Sequence, residues 1–137
     1  MVELLQQKLL GIYTSMSNAE TIIHTFELAV AEHRANVLAR QQAAELAAEQ
    51  IAMARTAEHE ASIIKARTRP EGRNADDRAN SLLLMLDDDN EYIEKMNEAR
   101  EHRHIAADAE RNVIALADTI RLDLIRCQML CNLAANL

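Results

Sequence analysis

Apolar residues recur at every third or fourth position from the start of the chain: Val2, Leu5, Leu9, Ile12, Met16, Ala19, Ile23, Phe26, Val30, His33 and Val37. This is the a/d spacing of a helix with one continuous buried seam, held for about five heptads. The same register continues through Arg40, Ala44, Ala47, Ile51, Ala54, Glu58, Ala61 and Lys65, so the seam turns alanine-rich and partly charged toward residue 68. A second apolar stripe, Leu28, Ala31, Ala35, Leu38, Leu46, Met53, Ala57 and Ile64, runs beside it. One neighbouring helix cannot cover two stripes, which predicts a bundle or an oligomer.

The second half shows a similar pattern. Leu82, Leu83, Leu84, Met85 and Leu86 are apolar all round and are expected to be buried on more than one side. Beyond a polar stretch at 97–104 comes a regular seam, Ala106, Glu110, Val113, Ala117, Ile120, Leu124, Cys127, Cys131 and Ala134. Ile114, Leu116, Leu130, Leu133 and Leu137 widen that face.

Between the halves stands the only proline, Pro70, with Gly72 two residues on. Proline lacks the donor a helix interior needs and pushes Arg69 out of the α region, and glycine can take the left-handed conformation that closes a helix. The pattern therefore predicts a single all-α domain built as a long, coiled-coil-like antiparallel helical hairpin. Its first arm is 1–68, its turn 69–75 and its second arm 76–137. Either Asn74 or Asp76 can cap the returning arm. Folded at that turn, Leu9 would meet Cys131, Met16 would meet Leu124, Ile23 would meet Ala117, and Val30 would meet Glu110. Arms of roughly 60 residues would each be about 90 Å long.

Two places argue for breaks within the arms. Gly11 weakens a helix interior, and Ser17-Asn18-Ala19-Glu20 has the form of a capping box. The run Asp87-Asp88-Asp89-Asn90 is favourable at a helix start and repulsive inside one, so a restart at Asp89 or Asn90 is the alternative to continuity. Breaks near 14–17 and 87–90 would give a four-helix arrangement.

Composition sharpens this picture. Aromatics are only 2% of 137 residues (Tyr13, Phe26 and Tyr92), while alanine and leucine dominate the 49% apolar share. Alanine favours helix but buries little surface, so close helix packing or self-association must supply stability. The net charge of −7, with no cluster of Lys and Arg, disfavours direct nucleic-acid binding. No apolar run approaches the roughly 20 residues of a membrane span. Without a visible secretory signal, and with two cysteines only, the expected setting is cytoplasmic.

Candidate chemistry is sparse. Glu101-His102-Arg103-His104 holds one Glu-x-x-His, a fraction of the ligand set of di-iron bundles, with His104 opposite the seam. Glu20, His24 and Glu27 have related spacing on the seam's flank. Glu91 and Glu94 form the Glu-x-x-Glu found in magnesium-dependent all-α pyrophosphohydrolases, but no matching acidic motif or phosphate-holding cations accompany it. A solvated charged face is the plainer reading of both. The acidic run Asp87, Asp88, Asp89, Glu91 and Glu94, continuing to Glu101, could instead dock a basic protein partner. Cys127 and Cys131 read as small core residues, since zinc needs two further ligands. His33, Arg40, Arg103 and Glu110 read as polar seam positions: His33 would pair with Glu110 or fix register, and Arg40, near Arg103, would take a carboxylate from Glu98, Glu101 or a second chain. No nucleophile–base arrangement or phosphate loop is visible, so no catalysis, cofactor or metal is expected. The expected function is structural or assembly-related: helix-to-helix self-association into a dimer or higher oligomer. The interaction face would comprise Val113, Ala117, Ile120, Leu124, Cys127 and Cys131 with Leu9, Ile12, Met16, Ile23 and Phe26. The alternative is a small acidic binding protein, such as a secretion-type chaperone or phage-encoded inhibitor, acting through 87–101.

Overall fold

A computed structural model describes residues 2–14 and 19–137, with the backbone alone for 10–14. The expectations at Met16 and at the capping serine Ser17 lie outside the described residues, as does the side chain of Ile12. The chain is all-α, with helices α1 (Val2–Thr14), α2 (Ala19–Arg67), α3 (Ala75–Asp87) and α4 (Asn90–Ala135), and no strand among the described residues. The long helix α2 packs against α4 as a helical hairpin.

Local chemistry sets the visible helix ends. At the end of α2, Thr68 donates its backbone N–H (3.1 Å) and its hydroxyl (2.8 Å) to the Ile64 carbonyl. Asn74 is the N-cap of α3, its side-chain oxygen accepting from the Asp77 N–H at 2.8 Å. The acidic run does break the second arm: α3 ends at Asp87, and the Asp89 carboxylate accepts from the Tyr92 N–H at 3.0 Å to start α4. A carboxylate there also meets the positive end of the helix dipole.

Gly72 does not close α2. It stands at φ +153° just ahead of the Asn74 cap, where a Cβ would lie 2.7 Å from the Asp77 Cβ and 2.8 Å from the Arg78 nitrogen. Gly72→Ala should therefore cost about 1–3 kcal/mol, because both backbone strain and a clash with the first turn of α3 oppose it. Urea unfolding followed by helical circular dichroism measures this; a midpoint equal to that of the wild type would contradict it.

The reversal is longer than the sequence suggested. The thirteen residues of α3 belong to the connection, so α4 returns later than a turn centred on Pro70 would allow. Val30 accordingly does not face Glu110; Glu32 reaches Arg126, and Ala29 clusters with Leu130. The pairing is displaced by about two and a half heptads from the expected register. The leucine run of α3 is corrected as well: only Leu86 is buried, while Leu83, Leu84 and Met85 are exposed.

The buried seam also differs by one column. On α2 the seam runs through positions 22, 26, 29, 33, 36, 43, 47, 50, 54, 57, 61 and 64, all buried or half-buried, with 25, 30, 39, 51, 58 and 60 half-buried along its edges. The column through Phe26, His33, Ala47, Ala54 and Ala61 is as expected. The other column runs one residue earlier, through Ile22, Ala29 and Ala43 rather than Ile23, Val30 and Ala44. Helix α4 repeats the shift, with Ala109 and Leu130 buried rather than Glu110 and Cys131. Adjacent columns of a wide apolar face carry similar residues, so periodicity alone does not choose between them.

Two compact units divide the chain: residues 1–43 with 111–137, and residues 44–110. In the first, Ala29 and the fully buried Leu130 form a cluster on which Leu9, Phe26, Cys127 and Leu133 pack. In the second, buried Ala47, Ala54, Ala57 and Ala61 of α2 are matched by Ala99, Ala106 and Ala109 of α4. Alanine at such positions lets helix axes approach closely, which replaces side-chain bulk with backbone proximity.

Candidate interaction surface

Polar side chains interrupt the seam in each unit. In the first unit, Asn36 donates its side-chain N–H to the Asp123 carboxylate at 2.6 Å. In the second, His102 Nδ1 lies 2.6 Å from the Gln50 side-chain oxygen. Sequence reading missed these pairs, because it placed Val37 and Ile51 in the seam column where the structure has Asn36 and Gln50. Their signal was nonetheless present: 36 and 50 are two heptads apart, and 102 and 123 are three. The Nδ1 atom of half-buried His33 is enclosed and has no hydrogen-bond partner among the described residues.

Ion pairs flank the seam. Arg103 holds Glu58 in a two-pronged contact, with one guanidinium nitrogen 2.9 Å from a carboxylate oxygen. That hydrogen bond pushes the Glu58 carboxyl below its usual range and raises the Arg103 guanidinium. Lys95 contacts Glu60 at 2.6 Å and Glu98 at 3.4 Å, and the bond to Glu60 raises the ammonium pKa. In the first unit Arg126 meets Glu32 at 2.6 Å. These contacts are well exposed, so they specify pairing more than they stabilise it.

The expected polar seam is thus rearranged. His33 stays at the interface, while Arg40 and Glu110 are exposed and Arg103 pairs with Glu58. Glu101 and His104 face solvent, and His104 lies 3.6 Å from Asp108. No group of three metal-ligand side chains comes together among the described residues. Cys127 is half-buried, and burial pushes its thiol above the ordinary value; Cys131 is exposed.

The proposed contact residues fall into two sets. Leu9, Phe26, Val113, Ile120 and Cys127 turn toward the interior, where they are partly buried. Ile23 and Leu124, 46% and 53% exposed, stand on an outer flank with Cys131, and half-buried Ala117 lies in the same α4 column. That flank is opposite the Glu32–Arg126 bridge in the heptad. Asp87, Asp88, Glu91 and Glu94 are exposed, whereas Asp89 is committed to capping α4. Asn90, Ile93, Glu94, Asn97, Glu98 and Glu101 outline a shallow groove of about 480 Å³. A wider groove of about 670 Å³ between α1 and α4 is lined mainly by amides, including Gln6, Gln7, Gln128 and Asn132. Amides there can hydrogen-bond a ligand or a peptide but supply no nucleophile.

Nine of the thirteen buried apolar residues among the described positions are alanine, whereas large side chains such as Leu28, Val37, Leu38, Leu46 and Leu84 stand exposed. The larger apolar residues, which are ordinarily among those most often buried, supply only Ile22, Ile64, Leu86 and Leu130 to this interior. No helix among the described residues is long and apolar enough to cross a membrane. No known protein family, characterised protein or solved structure matches the chain.

Proposed function

We propose that this is a non-enzymatic assembly or adaptor protein that works through helix-to-helix self-association in a cytoplasmic setting. The observation that supports it is the apolar distribution: nine of the thirteen buried apolar residues among the described positions are alanine, while large side chains such as Leu28, Val37, Leu38, Leu46 and Leu84 stand exposed. Scattered apolar residues on a surface are ordinary, but an alanine-lined interior contributes little burial to offset ordering entropy. Association recovers that missing burial. Light scattering across concentration tests the reading directly. A mass that is a multiple of 15.4 kDa supports it, and a strict monomer at tens of micromolar, roughly the range where weak helical interfaces form, opposes it.

A second reading rests on the acidic side of the second unit. Glu91, Glu94 and Glu101 are exposed and have no ion-pair partner among the described residues. They would dock a basic protein surface, and that contact would weaken with salt where apolar packing would not.

A further inference from the structure

The flank of α2 that the seam leaves outside carries an ordered alternation: Ile23, Glu27, Val30, Arg34, Val37. Ile23 and Val37 are 46% and 44% exposed, Val30 is half-buried, and Glu27 and Arg34 are exposed. Neither Glu27 nor Arg34 has an ion-pair partner among the described residues. The column on α4 beside this flank carries Leu124, 53% exposed. The register that joins Asn36 to Asp123 sets Leu124 about one and a half helical turns from the level of Val30.

Read about its centre, the motif is antisymmetric in charge and symmetric in hydrophobicity. The acid lies half a heptad before Val30, the base half a heptad after it, and a branched apolar residue lies beyond each. A two-fold axis perpendicular to α2 in the interface plane reverses the second helix, so each position meets its mirror in sequence. We propose that a second copy of this chain packs on this flank, α2 antiparallel to the partner's α2, with the axis passing near Val30 and Leu124. Glu27 of each copy then meets Arg34 of the other, and Ile23 packs near Val37 of the opposite copy. A parallel arrangement would set Glu27 against Glu27 and Arg34 against Arg34, which repel.

This inference rests on the self-association reading, and its experiment separates the two. Sedimentation equilibrium of the full chain at low salt would compare wild type with Glu27→Arg, Arg34→Glu and the double variant, helicity being checked in each. Each single reversal turns two attractive contacts into repulsive ones and should weaken the dimer by about fivefold or more. The double variant should return to within about twofold of wild type, since opposite charges again face each other. Leu124→Glu should abolish the dimer, and Leu28→Glu, similarly exposed but on the opposite side of α2 from Val30, should leave it intact. A dimer indifferent to both reversals, or a double variant as weak as the singles, overturns this face while leaving assembly standing. A wild-type chain that stays monomeric overturns both.

Discussion

Leu130→Ala should lower the thermal midpoint by about 10 °C or more, the largest effect of any single truncation among the described residues. Leu130 is the one large side chain with no exposed surface among the described residues. It packs against Ala29, and Leu9, Phe26, Cys127 and Leu133 gather around the pair, so α1, α2 and α4 all depend on it. Loss of a buried leucine costs about 2–5 kcal/mol, and the flanking alanine cannot grow to fill the space. For a domain of this size each kcal/mol moves the midpoint by about 2–8 °C. Ile114→Ala, at a 67% exposed position of the same helix, is the control and should shift stability by no more than about 0.5 kcal/mol. Both melts belong at one protein concentration, because association would itself raise the midpoint. Equal shifts in the two variants would mean that Leu130 does not anchor the three helices.

Ala54→Leu should destabilise by about 1–3 kcal/mol for the opposite reason. Ala54 is fully buried in the unit where alanine occupies most of the seam. Added carbons there have nowhere to go unless α2 and α4 separate, and separation would strain the Gln50–His102 and Glu58–Arg103 contacts that span them. Ala52→Leu makes the same chemical change at an exposed position and should be close to neutral. Urea midpoints by circular dichroism suit both, since the chain has no tryptophan. If the two variants unfold alike, the helices do not approach as closely as an alanine seam allows. One unit thus fails by losing bulk and the other by gaining it.

Much of this architecture can be read from the chain because helices announce themselves through period. The all-α class, the hairpin, the Asn74 cap and the break at Asp87–Asn90 all follow from spacing, turn residues and charge at helix ends. Register was not legible in the same way. Whether Leu82 to Leu86 continue an arm or form their own short helix depends on a cap at Asp89, and that cap moves every later pairing. Rotation of the seam was equally hidden. Ile22 and Ile23 are chemically the same, and Ala43 and Ala44 are identical, so only the polar pairs at Asn36 and Gln50 distinguish one column from the next. Preferring Val37 to Asn36 followed hydrophobicity and ignored that a buried amide can be satisfied across the interface. Ile23 and Leu124 belong to the columns that the one-residue rotation of the seam turns outward, and their exposure arises from it.

A seam of repeated alanines resembles a ruler whose graduations all look alike: sliding it by seven residues, about 10 Å, restores nearly the same packing. The two amide-centred pairs act as its numerals. Displaced by one heptad, Asn36 would lie against Leu116 or Leu130 rather than Asp123. His102 would lose Gln50 and face Ala43 or Ala57. Each misreading strands a polar group against hydrocarbon at a cost of about 1–3 kcal/mol. Because one numeral sits in each unit, neither half relies on the other to find its zero.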